Sequence, residues 1–199
     1  MTEPDDPHEY RVISSEPVYD GRVISLRRDT VAMPGGRDSE REVVTHPGAV
    51  AVVALDDDDH VVLVRQYRHP VRAYLWELPA GLRDADGEPP LETAKRELAE
   101  EALLGAERWS LLTTTYSTPG FCDEAVLVYL AEDLSDVDRP EGFLVEHEEA
   151  DMTLERVPLA DAVQRIFDGD IRNAVCVVGL LAAAQVRATK PRLRPLDAE

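Results

Sequence analysis

The chain is short of cysteine, aromatic residues, lysine and long apolar runs, and each shortage removes a class of protein. Its two cysteines, Cys122 and Cys176, lie far apart with no Cys-x-x-Cys pair. That rules out a disulfide scaffold and a cysteine-based zinc site, and makes a reduced, cytoplasmic compartment the expectation. The most apolar stretches, residues 49–55 and 174–184, fall well below the roughly 20 residues of a membrane span, and the first nine residues are acidic and polar. Neither a membrane anchor nor a signal peptide is expected. Positive charge is scarce: 21 Lys+Arg stand against 40 Asp+Glu, a formal net charge of -19. Binding to nucleic acid or anionic lipid relies on Lys and Arg replacing counterions, so neither is an expected partner. An anionic substrate would need a metal to reach so acidic a protein.

What is present suffices for one ordinary domain and a modest appendage, since 44% of the 199 residues are hydrophobic. Residues 1–9 read as a disordered lead. Residues 10–18, 22–33 and 40–45 alternate or are β-branched, with Asp20-Gly21 and Pro34-Gly35-Gly36 between them, which predicts a small β-meander over 10–47. Residues 49–55 and 61–67 are predicted to form a hairpin around the polar turn 56–60, its first arm apolar enough for the middle of a sheet. Helical spacing places Leu91, Ala94, Leu98 and Ala102 on one stripe, so a helix is expected over 90–104, with Pro89 and Pro90 where helices begin. Strands are expected over 109–115, 124–130 and 152–157, a loop over the acidic stretch 131–150, helices over 159–168 and 171–189, and a tail at 190–199. The irregular interleaving implies a mixed α/β class, with helices covering a central sheet and a main domain at 48–189.

The chemistry concentrates in residues 81–104. Within two helical turns stand Glu97, Glu100 and Glu101, beside Arg96. Glu97 and Glu101 are four apart and so share a face next to the apolar stripe. Carboxylates so close repel one another unless a cation neutralises them, and hard divalent ions prefer such oxygen ligands. A solvated acidic face, with Arg96 and Glu100 as an ordinary i, i+4 pair, is the other reading of the same residues.

The longer pattern resembles the box of the Nudix hydrolase family, Gly-x5-Glu-x7-Arg-Glu-U-x-Glu-Glu-x-Gly-U with U bulky and apolar. Here it runs Gly81, Glu88, then Arg96-Glu97-Leu98-Ala99-Glu100-Glu101-Ala102-Leu103-Leu104. Two departures stand out: one extra residue between Gly81 and Glu88, and Leu103 where the family closes with glycine. Gly105 is the expected substitute cap, on a slightly longer helix. Outside the box, Trp76-Glu77-Leu78-Pro79-Ala80-Gly81, Arg65-Gln66-Tyr67-Arg68, Pro119-Gly120-Phe121-Cys122-Asp123-Glu124 and Glu146-His147-Glu148-Glu149-Ala150-Asp151 are similar to the ADP-ribose pyrophosphatase branch.

That resemblance implies an α/β/α sandwich with a mixed sheet, a homodimer using the N-terminal meander, and hydrolysis of ADP-ribose to AMP and ribose 5-phosphate. It implies Mg²⁺, or Mn²⁺, on Glu97, Glu100, Glu101 and the Ala80 carbonyl, with Arg96 orienting the carboxylates. Glu149 would be the base that activates water, with Glu146 and Glu148 as competitors. Arg41 and Arg68 would meet phosphate or adenine-side groups, and Glu124 and Glu77 ribose hydroxyls or adenine. Gly120 and Phe121 complete the substrate set, although Phe121, like Trp76, suits core packing as well as stacking on adenine. Another nucleoside diphosphate sugar as substrate, and a catalytically silent nucleotide-binding module, are the alternatives. Asp56 to Asp59 read as a solvated turn, Cys122 as a bystander, and His147 as a surface histidine.

Overall fold

The computed structural model describes residues 9–138 and 151–196, which form two compact units: residues 9–47 with 118–124, and the remainder. In the first unit, β1 (Val12–Asp20), β2 (Ser25–Ala32) and β3 (Asp38–Thr45) make an antiparallel sheet in that order. Gly35 and Gly36 turn β2 into β3 with φ of 85° and 77°, angles glycine adopts without strain. The segment 118–124 lines the free edge of β3, where the Val44 amide donates to the Phe121 carbonyl at 2.7 Å and the Asp123 amide to the Val44 carbonyl at 3.1 Å. β1 is exposed along its whole length, Val12, Ile13, Val18 and Tyr19 included.

The second unit contains two sheets. β4 (Ala49–Ala54), β7 (Ala80–Leu82), β8 (Leu104–Tyr116) and β9 (Ala125–Asp136) form one, in the order β7-β4-β9-β8, with β4 and β9 parallel and the other pairs antiparallel. β5 (His60–Arg68), β6 (Ala73–Glu77) and β10 (Thr153–Pro158) form the other, in the order β10-β5-β6. Alternation along β4 explains the layering. Val50, Val52 and Ala54 pack in the core cluster of α1 (Pro90–Ala102), while Ala51, Val53 and Leu55 pack in that of α2 (Leu159–Phe167) and α3 (Ala174–Thr189). The architecture is the expected mixed sheet between helices. Gly179 of α3 permits the tight approach, because a Cβ there would lie 2.6 Å from Leu78 Cδ1 and 3.1 Å from Val53 Cγ2. Among the described residues no helix is long and apolar enough to cross a membrane.

Three local expectations need correction. The hairpin of 49–67 opens into two sheets, with β4 and β5 joined only by a Leu55–Val61 bridge. Both strands are buried over most of their length, and each is flanked by two neighbours of its own: β7 and β9 beside β4, β10 and β6 beside β5. The acidic stretch begins as strand, because β9 runs on to Asp136. There Ala131 is buried, and Glu132 accepts from Arg108 at 3.1 Å and Arg187 at 2.6 Å. Finally, α1 ends at Ala102, and Leu103 itself takes the left-handed cap position at φ 57°, its amide donating to the Ala99 carbonyl at 3.2 Å. Gly105 lies inside β8 instead.

Candidate active site

α1 carries its apolar stripe inward: Ala94, Leu98 and Ala102 are buried in the core shared with Val52, Leu111 and Tyr129. That fixes the rotation of the helix and sets the glutamates along its flank. Glu101 is itself buried, and its Oε2 accepts the backbone amide of Ala80 at 3.0 Å, tying the helix to β7. Glu97 lies over Gly81 of the same strand so closely that a Cβ on Gly81 would stand 2.0 Å from its carboxyl carbon.

Arg96 organises the remaining charge. Its Nη1 donates to Glu97 at 2.7 Å and to Glu100 at 2.9 Å, and its Nε and Nη2 each donate to Glu88 at 3.2 Å. Burial works against the Arg96 cation, but the hydrogen bonds to Glu88 and the charges of Glu97, Glu100 and Glu88 outweigh it and hold its pKa above the ordinary value. Glu88 is correspondingly held below the usual carboxylate value, chiefly by hydrogen bonding to Arg96, with Thr93 adding a second donor at 2.9 Å against partial burial. One guanidinium therefore gathers three carboxylates of the box, as an exposed i, i+4 pair would not.

The donor chemistry fits a hard divalent cation, since Glu97, Glu100, Glu101 and the Ala80 carbonyl offer only oxygen. Gly81 leaves the space that the Glu97 carboxylate occupies. Among the described residues no three acidic, histidine or cysteine side chains are already arranged to hold a metal ion; Arg96 draws Glu97 and Glu100 to itself, and Ala80 holds Glu101.

The other expected residues fall into two groups. In the second unit, Glu77 ends β6 almost fully buried, and Arg68 ends β5 with 44% of its side chain exposed. Arg68 Nε donates to Glu77 Oε1 at 2.9 Å and Nη2 to Oε2 at 2.6 Å. In the first unit, Arg41, Gly120 and Phe121 line a cavity of about 360 Å³ together with Arg28, Glu40 and Glu42. Arg41 is steadied by Nη1 donating to Ser39 Oγ at 2.6 Å and to the Glu40 carbonyl at 2.8 Å, while Phe121 is 55% exposed. Glu124 lies 3.7 Å from His46 Nε2, and neighbouring Asp123 accepts the His46 amide at 2.9 Å. Glu146, Glu148 and Glu149 lie outside the described residues.

The sequence alone assigns no role to Arg28, Gln66 or Thr93. Arg28 stands beside Arg27 on β2, a visible basic pair. Gln66, 3.4 Å from Glu77, is a buried polar residue of β5. Thr93 is a fully buried threonine whose need for partners only the fold reveals.

Known proteins resemble the chain over most of its length. The NUDIX domain model matches residues 45–176, and that of the nucleoside diphosphate sugar hydrolase N-terminal domain matches residues 10–44. The chain is 50% identical over 192 residues to an ADP-ribose pyrophosphatase of Mycobacterium tuberculosis, covering 96% of this chain and 91% of that protein. It is 37% identical over 166 residues to an ADP-ribose pyrophosphatase of Bacillus subtilis, covering 83% and 88%. A crystal structure of an ADP compounds hydrolase has the same fold, with a TM-score of 0.79 at 24% identity over 96% of this chain and 100% of that one. With its box on α1 and β7 and these matches over nearly its whole length, the chain belongs to the Nudix hydrolase family.

Proposed function

We propose that the protein hydrolyses the diphosphate of ADP-ribose, adding water across the P–O–P bond to release AMP and ribose 5-phosphate. The observation that carries this reading is the 50% identity, over 96% of the chain, to a protein named for that activity. The box geometry supports it: Glu97, Glu100 and Glu101 are the residues that would hold Mg²⁺ or Mn²⁺, together with the Ala80 carbonyl. A divalent ion bound there supplies charge neutralisation to the diphosphate oxygens and acidifies water. The chain's own residues do the placing. Arg96 holds Glu97 and Glu100 side by side, Ala80 anchors Glu101, and Glu88 with Thr93 fixes Arg96.

Glu149 is proposed as the base that takes a proton from the attacking water, with Glu146 and Glu148 as the alternatives. Arg41, Phe121 and Gly120 are proposed as substrate contacts through the cavity they line, with Arg28 beside them as a further cation. Arg68 and Glu124 complete the set. The exposed apolar side chains of β1 support a homodimer formed through the meander, since Val12, Ile13, Val18 and Tyr19 would gain burial from a partner. A cytoplasmic setting is in keeping with two free cysteines.

The test is to incubate purified protein with ADP-ribose and a panel of nucleoside diphosphate sugars, with Mg²⁺, Mn²⁺ or chelator, and measure AMP and sugar phosphate. Chelator-sensitive release of AMP, fastest from ADP-ribose, is expected. Faster turnover of another nucleoside diphosphate sugar reassigns the substrate. No turnover with either metal, while ADP-ribose still shifts the melting temperature, replaces the enzyme reading with that of a binding module.

A further inference from the structure

Glu77 and Arg68 are joined by two hydrogen bonds, and the two side chains differ sharply in exposure. Glu77 is 3% exposed, whereas the Arg68 side chain is 44% exposed. Register places them on one face of the sheet: Glu77 stands opposite Val64 of β5, and Gln66 and Arg68 follow Val64 at two-residue steps. Both carboxylate oxygens of Glu77 are engaged, Oε1 by Arg68 at 2.9 Å, and Oε2 by Arg68 at 2.6 Å and Gln66 at 3.4 Å. Cys176 of α3 feels the same charge: burial, with Glu77 adding, pushes its thiol pKa up, so it stays neutral.

A buried carboxylate is tolerated when it is paired and hydrogen-bonded, and two parallel N–H···O bonds fix the plane of a guanidinium as a single bond does not. Glu77, buried and with both oxygens already accepting, lacks the exposure with which to reach a ribose or an adenine. Arg68 has the exposure, and Glu77 accepts from both its Nε and its Nη2. Their anchor is also close along the chain to the carboxylate flank, because Glu77 precedes by three residues the Ala80 whose amide holds Glu101.

We propose that Glu77 is a positioning residue, which orients the Arg68 guanidinium toward the anionic part of the substrate and does not itself touch substrate. The proposal rests on the reading of Arg68 as a substrate-binding residue. Loss of orientation weakens ground-state and transition-state binding alike, a change that appears in KM more than in kcat.

The experiment is steady-state kinetics with ADP-ribose and Mg²⁺ on Glu77→Gln, Glu77→Asp, Arg68→Ala and the Glu77→Gln/Arg68→Ala double variant, with thermal melts on each. Glu77→Gln should raise KM about tenfold and change kcat less than about threefold, and the double variant should match Arg68→Ala alone. Glu77→Asp keeps the charge but withdraws the carboxylate by one methylene, so KM should rise there too. It carries the test if Glu77→Gln fails to fold. Effects on KM that multiply in the double variant would show Glu77 acting independently of Arg68 and overturn the proposal. So would normal KM in both Glu77 variants while Arg68→Ala is impaired, and the Arg68 reading would then stand. Normal KM in Arg68→Ala removes that reading and the proposal with it.

Discussion

Gly81 and Glu97 occupy nearly the same space: a Cβ on Gly81 would lie 2.0 Å from the Glu97 carboxyl carbon and 2.1 and 2.5 Å from its two oxygens. Close approach, and not a left-handed backbone, is what demands glycine here, so the opening residue of the box is explained by the carboxylate it admits. Gly81→Ala must push Glu97 away from β7. Turnover should fall by about 10²-fold, the usual consequence of an ångström-scale misplacement in a site, and more Mg²⁺ should be needed for half-maximal rate. Turnover within twofold of the parent, measured at saturating Mg²⁺, would mean that Glu97 works from elsewhere.

Glu97→Gln and Glu101→Gln test the carboxylates directly. Each removes an oxygen charge while keeping the side-chain volume, and a glutamine at position 101 can still accept the Ala80 amide through its carbonyl oxygen. Activity should therefore drop by orders of magnitude in both, with melting temperatures close to the parent's. Near-normal turnover in both would sink the metal assignment.

The box was legible because its spacing matches a helix whose inward stripe can be counted, and α1 carries Ala94, Leu98 and Ala102 into the core. The meander was legible for a similar reason, with Asp20-Gly21 and the Gly35-Gly36 pair punctuating short strands. Sequence did not reveal β6 and β7, which have five and three residues and flank Leu78 and Pro79, too short for a period to register. Nor did it reveal that β9 continues through Glu132, whose burial depends on Arg108 and Arg187, the latter 55 positions away. The Arg68–Glu77 pair is of the same kind. The resemblance implies each residue singly as a substrate contact, and their mutual bond follows from the β5–β6 register, which local pattern does not encode.

Leu103 closes α1 in a left-handed conformation at φ 57°, the position glycine holds in the family's box. A β-carbon in that region costs about 1 kcal/mol relative to glycine, and Leu103 is 37% exposed, so it recovers little by burial. Leu103→Gly should raise the melting temperature by about 2–4 °C for a chain of this size and leave turnover at or above the parent level. A lower melting temperature would show that Leu103 contributes packing that outweighs its backbone strain.

Glu88 links the site to acid stability. Its pKa lies below the ordinary 4.5, chiefly because Arg96 donates to it, with Thr93 helping against partial burial. A carboxyl whose folded pKa is depressed contributes stability above the unfolded value and loses it as pH falls through the folded value. Glu132, lowered by Arg108 and Arg187 in spite of its burial, acts with the same sign. The parent should therefore lose melting temperature below about pH 4.5. Glu88→Gln, which cannot titrate, should be less stable than the parent at pH 7 and converge on it toward pH 3. Thermal melts of both proteins from pH 7 to pH 3 measure the gap directly. A gap equally wide at both ends would mean that Glu88 holds Arg96 by shape and hydrogen bonding alone, with its charge contributing nothing to the folded state.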